Sequence, residues 1–170
     1  AAAGMLILSF FSRTADTSRA KAWAACILLG VGALASLEHL SDPTVSFYTI
    51  TNVGTSWLSR EILFVGLFGA GLLLWLITLN AWARRLAILG LAFVYVMSRV
   101  YTIPTVPFWN SLFTYWLFLA TSLLLGSSLL LFMDALAARK DPEKKTALLL
   151  GWYPVFIVLA FILQMLVIPL

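Results

Sequence analysis

The chain has 170 residues, 62% of them hydrophobic and 11% charged, against about 45–50% and about 25% in soluble domains. With a mean hydropathy of +1.01 there is too little polar surface to clothe a water-facing globule, which also excludes a disordered chain. One cysteine (Cys26) and one histidine (His39) exclude a disulfide scaffold and a zinc domain, and a net charge of only +4 excludes nucleic acid as the partner.

The expected class is therefore all-α: one polytopic transmembrane helix bundle spanning residues 1–170. Crossing the hydrocarbon takes about 20 mostly apolar residues. Residues 1–12 (AAAGMLILSFFS) are apolar but too short to cross. With no basic leader they fit a signal peptide badly, and they read as the inner end of a helix that begins outside this sequence. The next apolar run, 22–40, predicts the first full span. Asp42-Pro43 then pairs a capping side chain with a helix-initiating proline, which predicts a short surface helix after 43. Asn52-Val53-Gly54 is a turn signal, and Ser56 or Ser59 can cap the helix of the second span, 60–79. A third span is expected over 86–103. Pro104 and Pro107 keep 104–109 non-helical before a fourth at 110–133. A solvated turn containing RKDPEKK (139–145) precedes the fifth, 147–168. The abrupt apolar end at Leu170 again reads as a piece of a longer protein.

Charge gives the orientation. Every Lys and Arg except Arg60 and Arg99 lies in the connections 13–21, 80–85 and 134–146, which fall on one side if each run crosses. The positive-inside rule makes that side cytoplasmic. Trp23, Trp75, Trp82 and Trp152 fall near the same face and Trp57, Trp109 and Trp116 near the other, as interfacial belts require. Small residues at Gly30, Gly32 and Ser36, and at Gly66, Gly69, Ala70 and Gly71, are expected to let helices approach closely.

The ionisable residues left over gather at the outer ends of three segments: Glu38, His39 and Asp42; Arg60 and Glu61; Arg99, with Tyr101 beside it. Charges within spans are costly and retained for a reason. One reading has them snorkel to headgroups or pair with each other, Glu61 with Arg99 for instance. The other takes His39 and Glu61 as two proton carriers of a proton-coupled site. A quinol, planar and lipid-soluble and losing two protons with its two electrons, suits such a site. Trp57, Tyr101, Phe108 and Trp109 would supply a ring-lined slot. No metal site is expected. A haem between two histidines needs a second histidine, a cluster needs more than Cys26, and no spacing favours a haem held by His39 and Met97. An electron acceptor must then come from a partner. A small transporter or channel, and a passive membrane scaffold for a redox enzyme, stay open as alternatives.

The stretches ASLEHLSDP (35–43), NVGTSWLSREI (52–62) and MSRVYTIPTVPFWNS (97–111) resemble, in order and spacing, the DmsC family, the membrane-anchor subunit of dimethyl sulfoxide reductase-type molybdoenzymes. The resemblance covers nearly the whole chain. It implies a prokaryotic inner-membrane protein of eight spans, of which five full and one partial lie here. It also implies oxidation of menaquinol without haem, an electron-transfer role rather than terminal catalysis, and two soluble partners: a ferredoxin-like four-cluster iron–sulfur subunit and a molybdopterin (Mo or W) subunit. His39 and Glu61 fall on the motif positions of quinol-site residues. Arg99, Tyr101 and Trp57 would support that pocket toward the outer side. Ser41 and Asp42 depart from the glycine and serine usual in the family. The terminal substrate is not encoded in this subunit.

Overall fold

The computed structural model describes residues 1–11, 19–37, 50–79, 83–107, 109–139, 143 and 151–167. They form six α-helices and no strand: α1 (Ala2–Phe11), α2 (Arg19–Leu37), α3 (Trp57–Thr78), α4 (Ala83–Val100), α5 (Leu112–Ala137) and α6 (Trp152–Val167), with a 3-10 helix at Ile50–Asn52 before α3. Each apolar segment of the sequence holds one of them. Among the described residues, α2, α3 and α5 are long and apolar enough to cross a membrane by length and composition. At ~1.5 Å per residue the 22 residues of α3 and 26 of α5 rise about 33 and 39 Å, more than the ~30 Å of hydrocarbon. In α4, 18 residues long, Arg84 and Arg85 stand near one end and Arg99 near the other. The described part of the last helix is 16 residues.

Local chemistry sets the ends. α3 starts at Trp57, ahead of the expected boundary, because Ser56 is extended (φ −103, ψ 126) and its hydroxyl accepts the Ser59 N–H at 3.4 Å. The turn before it closes through Thr55 and Ser56 N–H donating to the Asn52 carbonyl at 3.1 and 2.9 Å, as Asn52-Val53-Gly54 predicts. Residues 104–107 are turns, with Val106 N–H donating to Ile103 O at 3.0 Å. Residues 134–137, expected in the connection, instead continue α5. Asp134 can stay in the helix because Lys21 of α2 pairs with it at 2.6 Å and the Tyr153 hydroxyl of α6 donates to it at 2.9 Å. That cluster joins the start of α2, the end of α5 and the start of α6, so α5 runs antiparallel to both.

α1 is the centre of the bundle rather than a marginal fragment. Ala2, Ala3, Met5, Leu6, Ile7 and Leu8 are buried, and α1 packs on α4 and α5 while α3 packs on α2 and α4. A Cβ on Gly4 would strike the Ser122 carbonyl, and one on Gly126 the main chain of Gly4, so these two glycines set the α1–α5 approach. The expected small-residue sites behave differently. Gly30, Gly32 and Gly66 have nothing within 4 Å of a Cβ, Gly69 would make an ordinary 3.4 Å contact with Leu29, and only Gly71 is close, to the tip of Leu86. Phe68 of α3 stacks on Phe93 of α4 (centroids 5.5 Å, 20°) in the main core. Half-buried Cys26 packs beside that core as an apolar residue. Outside, Leu74, Ile77, Val155, Phe161 and Leu166 are exposed, an apolar exterior that water would not tolerate. Trp75 corrects the belt expected at the inner face: it is 4% exposed and points into the core, whereas Trp23 and Trp152 lie outside.

Candidate functional site

One turn into α3, Glu61 is 8% exposed. The same face of the helix carries Phe68 and Leu72, so helical spacing that buries the apolar stripe also turns the carboxyl inward. It lines a cavity of about 380 Å³ with Val65 of α3, Gly32, Ala33 and Ser36 of α2, Phe93 and Met97 of α4, Phe118, Thr121 and Ser122 of α5, and Ala1–Ala3. Among the described residues the walls are apolar side chains apart from Glu61 and the hydroxyls of Ser36, Thr121 and Ser122. Thr121 is fixed by two bonds, donating to Leu117 O at 2.8 Å and accepting from Gln164 Nε2 of α6 at 2.8 Å.

Above this cavity lies an aromatic and arginine rim. Trp57, one turn before Glu61, has Arg60 over its ring at 4.3 Å and Arg99 at 5.0 Å. Its edge meets Tyr95 (6.3 Å), which meets Tyr115 (5.6 Å). Tyr101 lies against Trp109 (6.4 Å) and Phe118 (5.1 Å), and Phe118 also lines the cavity. Arg60 serves the backbone: its Nε and one Nη donate to the carbonyls of Val53 and Gly54 at 2.8 and 2.7 Å, which pins the turn that precedes its own helix.

The structure thus brings Glu61, Trp57 and Tyr101 to one end of the bundle. It does not join Glu61 to Arg99: the carboxyl makes no ion pair among the described residues, and Arg99 faces a second cavity of about 240 Å³ with Tyr95, Ser98, Thr102, Asn110 and Tyr115. His39, Glu38, Asp42 and Phe108 lie outside the described residues. In the sequence His39 follows Ser36, a cavity residue, by three positions. Sequence reasoning missed the apolar lining, Phe93, Met97 and Phe118, because nothing marks one aromatic among many as cavity-facing. It also missed the Lys21–Asp134–Tyr153 cluster, whose signal was an acid standing within the helical stretch LLLFMDALAA.

Long helices with apolar exteriors and polar groups gathered at their ends define a polytopic, membrane-integral bundle. The chain belongs to the DMSO reductase anchor subunit (DmsC) family, whose model matches residues 5–169. It is 38% identical over 113 residues to the C subunit of anaerobic dimethyl sulfoxide reductase from Haemophilus influenzae, covering 60% of this chain and 40% of that protein. It is 37% identical over 110 residues to the anaerobic dimethyl sulfoxide reductase subunit YnfH of Escherichia coli (59% and 39%) and 37% over 99 residues to the C subunit of anaerobic dimethyl sulfoxide reductase from the same organism (52% and 34%). The alignments span 40% or less of the length of these curated relatives. No solved structure matches.

Proposed function

We propose that this chain is the quinol-oxidising anchor of a multi-subunit anaerobic reductase. The observation that carries the reading is the Glu61 carboxyl, buried, unpaired among the described residues and lining the larger cavity. A quinol ring fits apolar walls, and its hydroxyl needs a proton acceptor within hydrogen-bond reach. Oxidation to quinone releases two electrons and two protons. Glu61 takes one proton and the imidazole of His39 the other, while the electrons pass to an iron–sulfur cluster of a partner subunit that in turn serves a molybdopterin subunit. Menaquinol is the substrate expected from the family. Trp57 and Tyr101 form the rim of the entrance. All five full segments cross the inner membrane, the basic connections lie in the cytoplasm, and protons leave on the outer side. The printed names of the relatives, subunits of anaerobic dimethyl sulfoxide reductases, support an anaerobic electron-transfer role.

The test is made on the assembled complex in membranes. Glu61→Gln keeps the shape of the side chain and removes its basicity. It should lower quinol-dependent reduction of the terminal acceptor by about 10²-fold or more and leave reduction by an artificial donor to the soluble subunits unchanged; His39→Ala should do likewise. Normal quinol turnover in both variants would refute the assignment.

A further inference from the structure

Among the described residues the smaller cavity shares no lining with the larger one, and α4 lines both. Phe93 and Met97 face the Glu61 cavity; Tyr95, Ser98 and Arg99 face the other. At about 100° per residue these sets stand on opposite sides of the helix. Thr102 extends the second stripe, since Tyr101 and Thr102 N–H donate to Ser98 O (3.2 Å) and Arg99 O (3.3 Å) and carry the turn past Val100.

Among the described residues, the lining of the smaller cavity holds one cation and no carboxylate. Trp57 steadies the guanidinium from one side. The buried Nε has no acceptor among the described residues, and no described carboxylate lies within ion-pair distance of Arg99. The hydroxyls of Ser98 and Thr102 spend their protons on the carbonyls of Tyr95 (2.7 Å) and Arg99 (2.8 Å). Asn110, Tyr95 and Tyr115, which carry an amide and two phenols, also line the cavity. A charged fork, partly buried and without a counter-charge among the described residues, calls for an anion. Its geometry matches two oxygens of a phosphate. The space, about 240 Å³, is several times the ~30 Å³ of one water. The flanking Tyr101 and Trp109 are exposed at the helix end, where interfacial aromatics meet headgroups.

We propose that this cavity binds a phosphate oxyanion, supplied as the phosphodiester of a phospholipid headgroup or as free phosphate. The site is independent of the quinol reading. The purified chain in a phosphate-free maltoside should carry one phospholipid more by native mass spectrometry than Arg99→Gln. After delipidation, titration with short-chain phosphatidylglycerol, and separately with inorganic phosphate, should give a saturable tryptophan fluorescence change that Trp57→Phe removes. Arg99→Gln should weaken it at least about tenfold (about 1.4 kcal/mol), and exposed Asn110→Leu should weaken it less. A response to the diester alone assigns a lipid, and one to phosphate alone a free ion. Equal lipid retention with both titrations flat, or titrations unaltered in the two variants, overturns the proposal. So does a flat response where Arg99→Gln instead weakens association with the reductase subunits. Should Arg99→Gln not fold, Asn110→Leu and Arg99→Lys carry the same comparison.

Discussion

The α1–α5 contact gives the sharpest test of how this bundle is held together. In a bilayer the lipid is as apolar as the side chains, so helices associate through close packing rather than through escape from water. A methyl at Gly126 would collide with the Gly4 and Met5 backbone, which lacks a side chain's freedom to turn aside. A methyl at Gly66 meets open space, and one at Gly71 meets only the flexible end of Leu86. Glycine to alanine within a helix gains about 1 kcal/mol of propensity at any of these positions. That gain cancels when variants are compared with each other. Gly126→Ala should therefore be less stable than Gly66→Ala by about 1–3 kcal/mol, the range for overpacking, and Gly4→Ala should follow Gly126. Gly71→Ala should lie close to Gly66→Ala. Equilibrium unfolding in mixed detergent micelles, followed by tryptophan fluorescence, measures the series. A Gly126→Ala variant within about 0.5 kcal/mol of Gly66→Ala would refute the claim that backbone approach of α1 and α5 holds the bundle.

The Lys21–Asp134 pair is 11% and 18% exposed, between a surface pair (about 0–1 kcal/mol) and a buried one that costs about 3–5 kcal/mol to break from one side. Asp134→Asn should cost about 2 kcal/mol in the same unfolding assay, and Lys21→Met combined with Asp134→Leu should recover part of it, because no charge is then left unpaired. Arg60→Ala removes two charge-assisted bonds to the Val53 and Gly54 carbonyls, worth about 1.5–3 kcal/mol each if fully retained. It should raise amide exchange across residues 50–56 while leaving α5 protected, and Arg60→Lys should not restore protection, since an ammonium cannot reproduce the fork.

What the sequence made legible was position along the membrane normal. Hydropathy placed a helix in each apolar run, Ser56 and the Asn52 turn placed the start of α3, and the prolines at 104 and 107 placed the break after α4. Azimuth was not legible, because in an apolar span nearly every face is hydrophobic: α5 has almost no amphipathic bias. Hence Gly66 and Gly32 looked like contact points and are open, whereas Gly126, in a run of leucines and serines, is the contact. Trp75 likewise reads as a belt residue by height and is a core residue by phase. The same blindness placed Arg99 beside Glu61, since both stand near helix ends at one end of the bundle.

The phase of α4 changes what the two charges can do. Met97 and Arg99 are two residues apart, about 200° around the helix, so lining one cavity with the methionine puts the arginine in the other. Had Arg99 reached Glu61, the pair would have fixed the carboxylate as a structural tie with its proton affinity spent on a neighbour. With the two groups lining different cavities, the proposed proton acceptor is left to whatever enters the larger one. The Arg99 guanidinium lines the smaller cavity instead, where an anion is the occupant its planar fork suits. A Met97→Arg, Arg99→Met exchange tests this division directly. Moving the cation onto the Glu61 side should suppress quinol turnover while the soluble subunits remain active, and should abolish phosphate binding in the smaller cavity. Turnover unchanged in the exchanged protein would mean that the face of α4 on which the charge stands does not govern the carboxyl.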